Sequence, residues 1–372
     1  MPRLVKLFFD PEHEHKRLRP RHKHDGRVDH YDLGYVQNVV IDQVVAEFKD
    51  YSEEEARDLD PACHLGRDAL PVGPNTRVNP ANQNQLLATI NGRILLENNM
   101  VTVSDTLTIP GDINFTTGNI LFLGDLVVEG SIRAGFDVQA RNILVKGQIE
   151  GAVVTAQETI QTKMGLKGQN KALLTAGKAI KLGFCEHAKV VTPGDVAING
   201  VCWNSHIYAG KKVIVLDAVK GGVICCRESV FVKNQLDGGR GQDSRILLGY
   251  DPNLLLKLEE VENAIRLLQA KLKDFKAATQ QGREHLKEFS AKMELAKKKL
   301  AALARQRDTL RCNLDNTCAA EASRLLVPGD VMPGVDIAFG DAELRIIDKL
   351  HDVRFHLQDG KVAAETGALP PY

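Results

Sequence analysis

The sequence predicts a mainly β protein with an α-helical insertion: a parallel β-helix of roughly seventeen-residue coils carrying an antiparallel coiled-coil hairpin. Three observations predict it. Val-, Ile-, Gly- and Ala-rich text recurs at a nearly fixed period from about Leu86 to Gly249. A stretch rich in Leu, Lys, Glu and Ala follows over residues 252–322, with apolar positions at alternating steps of 4 and 3. The last fifty residues then return to the β text with "LLVPGDVMPGVDIAFG".

The chain starts with a polar lead, residues 1–85. It holds "HEHKRLRPRHKHDGRVDH", a His- and Arg-rich run, and "YDLGYVQNVVIDQVVAEF", which supplies a strand or two. Residues 86–250 are the β-helix. Similar strand openings stand at Leu126, Ile143, Ile160, Ile180, Val196, Val213 and Val230, spaced 17, 17, 20, 16, 17 and 17. A second ladder, Val153, Leu173, Val190, Ile207 and Ile224, is spaced 20, 17, 17 and 17. The single 20 falls on the same turn in both, so one three-residue loop insertion at "GLKGQNKA" accounts for both. Seventeen residues are too few for a propeller blade or a βαβ unit. They suit one coil of three short strands, which can bury its apolar face only against the next coil. Equivalent positions in neighbouring coils then lie about 4.8 Å apart. A left-handed β-helix would keep a strict six-residue step, whereas Leu126, Ile132, Val138 and Ile143 step by 6, 6 and 5. A right-handed coil is therefore expected.

In the helical stretch, residues 251–322, the seam runs through Leu254, Leu258, Val261, Ile265, Leu268, Leu272 and Phe275. It continues through Leu286, Phe289, Met293, Ala296, Leu300, Leu303, Leu310 and Leu314, interrupted at Thr279, Gly282 and Arg307. This is coiled-coil patterning with a weak spot inside "TQQGRE", which predicts a reversal near Thr279–Glu284. The tail, residues 323–372, supports the reversal, because Leu325–Val327, Val331, Val335 and Ile337 repeat the coil's rhythm. A hairpin brings the chain back to the last coil, and a single long helix would carry it away.

Composition narrows the function. Lys plus Arg equals Asp plus Glu, 48 against 48, and aromatic residues make up 5%. A balanced, aromatic-poor chain is not built to bind nucleic acid. No apolar run reaches the length of a bilayer span, and the first residues lack a secretory apolar region. The seven Cys form no CxxC pair, which suits a reducing cytoplasm. No Walker loop, HExxH, GxSxG or dinucleotide fingerprint occurs, so no cofactor is expected.

Among single residues, His206 in "WNSHIYAG" is the sharpest enzymatic candidate, because acyltransferases of the left-handed β-helix type use a His base between coils. The coil period is wrong for that class, and the plain reading is a surface His on a turn. His13, His15, His22 and His24 form two His-x-His pairs that could take Zn²⁺ or Ni²⁺. A solvated lead explains them as well, and no metal is expected. Arg17, Arg19, Arg21 and Lys23 give at most an unspecific anion contact. Cys185 and Cys202 lie 17 apart and are read as buried apolar thiols on neighbouring coils rather than a disulfide. Cys225 and Cys226 point to opposite faces of one strand, so they make no metal pair. Asp112, Asp125, Asp137 and Asp195 stand beside or near Gly and read as turn chemistry. They do not form the acidic cluster of a polysaccharide lyase. No catalytic, cofactor or metal residue is therefore expected.

The phrases "ATINGRI", "IPGDINFTTGNILFLGDLVVEGSI", "IEGAVVTAQETI", "NSHIYAGKKVIV", "GYDPNL" and "VMPGVDIAFGD", together with the coiled coil, resemble the flagellar assembly protein A (FapA) family. The resemblance runs from about residue 30 to residue 365, and its specific feature is the order of β-helix, helical hairpin and closing strands. Here "TGNI" stands at Thr117–Ile120 and "PGV" at Pro333–Val335. The resemblance implies a cytoplasmic, non-enzymatic bacterial protein that helps to place or assemble polar flagella, with flagellar, polar or signalling proteins as partners. Longer members carry a large separate N-terminal domain, and this chain reads as a short member without it. The alternative is a β-helix scaffold like those of bactofilin filaments or the cell-division inhibitor's C-terminal domain, which polymerises or acts at the envelope. A homo-oligomer through the coiled coil is a further arrangement that such a seam allows.

Overall fold

Alternation along each strand decides what this chain buries. In the computed structural model, the described residues are 3–13, 18, 21–22, 28–29, 31–238, 243–280 and 286–367. They form a mainly β protein, a β-solenoid of about eight turns with a spacing near 17 residues. Two longer helices pack together, α2 (Pro252–Gln280) and α3 (Leu286–Asn316). A short helix precedes them, α1 (Glu53–Arg57), started by a capping box between Ser52 and Glu55. The chain divides into two compact units, Met1–Val190 and Val191–Tyr372.

The first unit opens with antiparallel sheets. Arg3–Leu7 pairs with Val44–Asp50, which pairs with Asn82–Ala88, while Gly92–Glu97 pairs with Met100–Ser104. Their core is Val5, Leu7, Val45, Leu86, Ile94 and Val103 with their buried neighbours. Solenoid text was expected from Leu86, but the first parallel strand is Thr106–Ile109, paired with Asp125–Val128. Within residues 82–104 the chain passes from one antiparallel sheet to another between Ala88 and Gly92 and turns back in a hairpin between Glu97 and Met100, connections too short for a parallel crossover.

From there three columns of side chains stack inward. Leu126, Ile143, Ile160 and Ile180 align rung on rung, as the period predicts. Ile113, Ile132, Ile149, Leu166 and Cys185 form another column. The remaining column corrects the expected ladder. Val153 pairs with Leu173, but Val153 is 38% exposed, and the buried rungs are their neighbours Val154 and Leu174. Both sites are apolar doublets, Val-Val and Leu-Leu, so spacing alone cannot say which member faces in. A slip of one residue flips the face. The inserted loop lies where expected, with Gln169 and Asn170 at φ of 53° and 58°.

Inter-turn ion pairs lace the outside of this unit. Arg141 reaches Asp125 at 2.7 Å and Asp105 at 3.3 Å, and Arg133 joins Asp112 at 2.7 Å to Glu150 at 2.6 Å. The Ser131 backbone N–H, then Arg133, hold the Asp112 carboxyl below its ordinary range, and Arg141 does the same for Asp125. Asp112 and Asp125 thus do more than form turns, since they tie one coil to another. Carboxyls that titrate lower folded than unfolded leave the unfolded chain holding more protons in acid, so stability falls as pH falls. The melting temperature is expected to drop as pH is lowered from about 5 to about 3. Arg141→Met should flatten that drop in a thermal-melt series.

In the second unit, Val196, Val213, Val230 and Leu325 form one column, and Ile207, Ile224, Ile246 and Ile337 another. Cys202, Val219, Leu236 and Val331 form the last. Arg324–Val331 is parallel to Ser229–Val232, so the chain resumes the solenoid after the helices. It then closes differently. Arg324–Val331 takes Leu350–Gln358 as an antiparallel partner, and Val335–Phe339 takes Ala342–Arg345. These closing hairpins carry no seventeen-residue signal and were not expected. Cys185 and Cys202 are buried, as the apolar reading requires.

Candidate functional site

The helical arm begins and ends at one point of the second unit. Gly249, at φ 89°, turns the chain out of the sheet, where a Cβ would meet the backbone of Ala320. Asp251 accepts from the N–H of Asn253 at 2.9 Å and starts α2, with Pro252 in the first helical turn, where its missing N–H costs nothing. On return, the N–H of Ala319 donates to the carbonyl of Gly249 at 2.8 Å. Departure and re-entry are thus hydrogen-bonded neighbours.

Of the expected seam positions with described side chains, some are buried and the others, such as Leu254, Leu268, Leu300 and Leu310, are half-buried. Leu258, Val261, Ile265, Leu272 and Leu314 are buried. Arg311 near the end of α3 bonds Glu262 near the start of α2 at 2.6 Å, so the helices run antiparallel. The helices stop at Gln280 and resume at Leu286, and the expected reversal point at residues 281–285 lies outside the described residues. So do the side chains of Phe275, Thr279, Leu286 and Phe289.

The base of the arm is docked on the solenoid. Along Cys202–Ala209, Ile207 faces the core, so Tyr208 must face outward. Tyr208 is nonetheless 1% exposed, because α2 covers it. Its hydroxyl donates to the Glu259 carboxylate, 2.9 and 3.0 Å from the two oxygens. Burial above all, then the Glu259 charge, push the Tyr208 phenol far up, so it remains a donor. Cys225 is next to Tyr208 in the same outward row, and its thiol is likewise held protonated, chiefly by burial. The thiol of Cys226 is pushed up to about 12 by burial and donates to the carbonyl of Lys211 at 2.8 Å. Sequence reasoning passed over Tyr208. The available signal was an aromatic residue at an outward position of a rung. Tyr208→Phe is expected to loosen the arm's base by about 2 kcal/mol, the scale of a hydrogen bond to a charged group. Hydrogen exchange should show faster amide exchange in the first turns of α2 and unchanged exchange around Ile207.

The other sequence candidates are dispersed. His206 is exposed on the outer face, in register with Val223. His13 places Nε2 3.3 Å from the carbonyl of Tyr35. His22 belongs to a short strand paired with Val28–Asp29, with its side chain outside the described set, and His15 and His24 lie outside the described residues altogether. Asp195 accepts from the N–H of Lys212 at 3.2 Å, another tie between coils. Asp137 heads a strand, and its buried Oδ1 has no hydrogen-bond partner. Among the described residues, no group of three or more metal-ligating side chains converges.

Two concavities accompany these features. In the first unit, a cleft of about 330 Å³ is lined by Asp32, Tyr35, Asn38, Asn119, Asp137 and Gln139 among others. In the second, a cavity of about 520 Å³ below the arm is lined by Tyr250, Asp315, Cys318, Phe339 and Asp341 among others. Tyr250 donates to the carbonyl of Gly340 at 2.6 Å, and its phenol is pushed up to about 12, first by burial. Burial first also raises the Cys318 thiol, so this cavity holds no ready nucleophile.

No helix among the described residues is long and apolar enough to cross a membrane. Neither a curated protein nor a solved structure matches the chain. The family described as Flagellar Assembly Protein A beta solenoid domain matches residues 105–362, from the first parallel coil through the arm to the closing strands. With more than half of its length matched and that order of parts in its structure, the chain belongs to the FapA family.

Proposed function

We propose that this chain is a non-enzymatic cytoplasmic scaffold for a flagellum-related assembly step, with the solenoid as a rigid mount and the helical arm as the contact element. The observation that carries this reading is the family match over residues 105–362. The docked base supports it. Glu259 holds the first turns of α2 to Tyr208 on the solenoid, which fixes where the arm starts, and Glu262 ties α2 to Arg311 of α3. The lack of any CxxC pair among the seven cysteines is in keeping with a reducing compartment. A polymerising scaffold would need open parallel edges for stacking, and the antiparallel partners of Arg324–Val331 and Val335–Phe339 weigh against this at the C-terminal end.

The test is removal of the gene from its native host and electron-microscopic counting of flagella. Loss or misplacement is expected, with full rescue by both the parent chain and the His206→Ala chain. Unchanged flagellation would overturn the flagellar reading. A rescue that fails only for His206→Ala would point to chemistry instead.

A further inference from the structure

The cleft of about 330 Å³ in the first unit is a preformed space. One wall is the chain from Asp32 to Asn38, and the other is the start of the solenoid, between Asn119 and Gln139. Hydrogen bonds tie the two walls at both ends of the first one. The N–H of Asn119 donates to the carbonyl of Tyr31 at 2.6 Å. Asn38 donates through Nδ2 to the carbonyl of Leu121 at 2.7 Å and accepts from the N–H of Leu123 at 3.2 Å.

Two groups of opposite charge stand at this cleft with buried atoms that nothing satisfies. Asp137 lines it, and its Oδ1 is buried without a hydrogen-bond partner. The backbone N–H of Asp137 donates to Asn119 at 2.9 Å, so the residue is held in place while that oxygen stays unpaired. Arg93 is the register partner of Asn38 on the neighbouring strand, so their side chains share a face, with Cβ atoms about 5 Å apart. The next residues, Val39 and Ile94, turn the other way into the core. Burial raises the phenol of Tyr35, which lines the cleft, and the Arg93 charge pulls it back, so the guanidinium is near that wall. The Nε of Arg93 is also buried without a partner. Of the five such atoms among the described residues, these are the two in the first unit. Each lacks a partner, so they do not satisfy each other. Buried polar atoms are normally paired, and two of opposite charge at one cleft call for a ligand that carries both charges.

We propose that this cleft binds a small zwitterion of the α-amino acid class. The ligand's ammonium would meet the Asp137 carboxylate, and its carboxylate would take the Arg93 guanidinium. Its side chain would lie against Val36, Ile120 and Leu121, and the volume suits a small molecule. A simple cation would leave Arg93 unpaired, and a simple anion would leave Asp137 unpaired. The inference adds a ligand to the scaffold reading and does not rest on it.

The test is a thermal-shift series on the full chain with each common L-α-amino acid in turn. A ligand that binds only the folded chain raises its melting temperature. At least one amino acid is expected to do so, and calorimetry with that one gives its affinity. The matching amine, which lacks the carboxylate, and the matching carboxylic acid, which lacks the ammonium, should each bind at least tenfold more weakly. Asp137→Asn and Arg93→Met should each weaken the amino acid at least tenfold as well. Without ligand, both variants should melt no lower than the parent, because each removes a charge that the unliganded fold does not pair. The proposal is overturned if no amino acid shifts the melt, or if the amine or the acid alone binds as tightly as the amino acid. It is also overturned if either variant keeps the parent's affinity, or if either melts well below the parent without ligand, which would make its charge a structural one. These outcomes are read on the purified chain, so they can fail while flagellation still depends on it, and the scaffold reading then stands.

Discussion

Ile207→Asp is expected to unfold the solenoid of the second unit. Ile207 is fully buried and stands in one column with Ile224, Ile246 and Ile337. A carboxylate there has apolar side chains as neighbours and must either shed its charge or open the coil, at a cost on the order of 4 kcal/mol or more. In a stack of repeats, each coil is stable only through its neighbours, so the damage spreads along the column. A thermal melt should show a lost or strongly lowered transition. Ile214→Asp is the control. Ile214 is 38% exposed on the outer face, and its replacement should move the transition little. Equal melting of Ile207→Asp and the parent chain would mean that Ile207 does not face the core.

Gly183→Ala should be nearly as damaging in the first unit, although it adds a single methyl group. A Cβ at residue 183 would lie 1.9 Å from the carbonyl oxygen of Met164 and 2.6 Å from its carbon. Both obstacles are backbone, so no side chain can swing away to make room. The turn after Ala179–Leu182 would have to lift off the coil below it, at a cost of roughly 2–3 kcal/mol. Gly111, where a Cβ would meet nothing within 4 Å, is the matched control. A Gly111→Ala chain should melt like the parent, and Gly183→Ala well below it.

What was legible in the sequence follows from what each residue has to satisfy. The column Leu126, Ile143, Ile160 and Ile180 could be read because the residue before it is polar or small in every coil, Asp125, Asn142, Thr159 and Ala179, so the large apolar position recurs at a clear period. The helical seam could be read for the same reason. Val153 and Leu173 were misplaced by one because their neighbours are equally apolar, and alternation cannot separate the two members of a doublet. The antiparallel sheets of residues 3–104 and the closing hairpins do not repeat, so a periodic reading passes over them. The docked base of the arm was invisible for a different reason. Tyr208 and Glu259 are 51 residues apart, and neither is unusual in its own stretch. Only the return of the helix to the sheet face makes them partners.

The central claim is that the solenoid is a mount and the arm carries the function. Because Ala319 donates to Gly249 at 2.8 Å, the arm can be cut out and residues 251–318 replaced by a short Gly-Ser link without moving either strand. The decisive measurement is the flagella count of native-host cells that carry this armless chain in place of the parent. The account predicts a chain that accumulates and melts cooperatively but leaves flagellation at the level of the deleted gene. Full flagellation with the armless chain would contradict it.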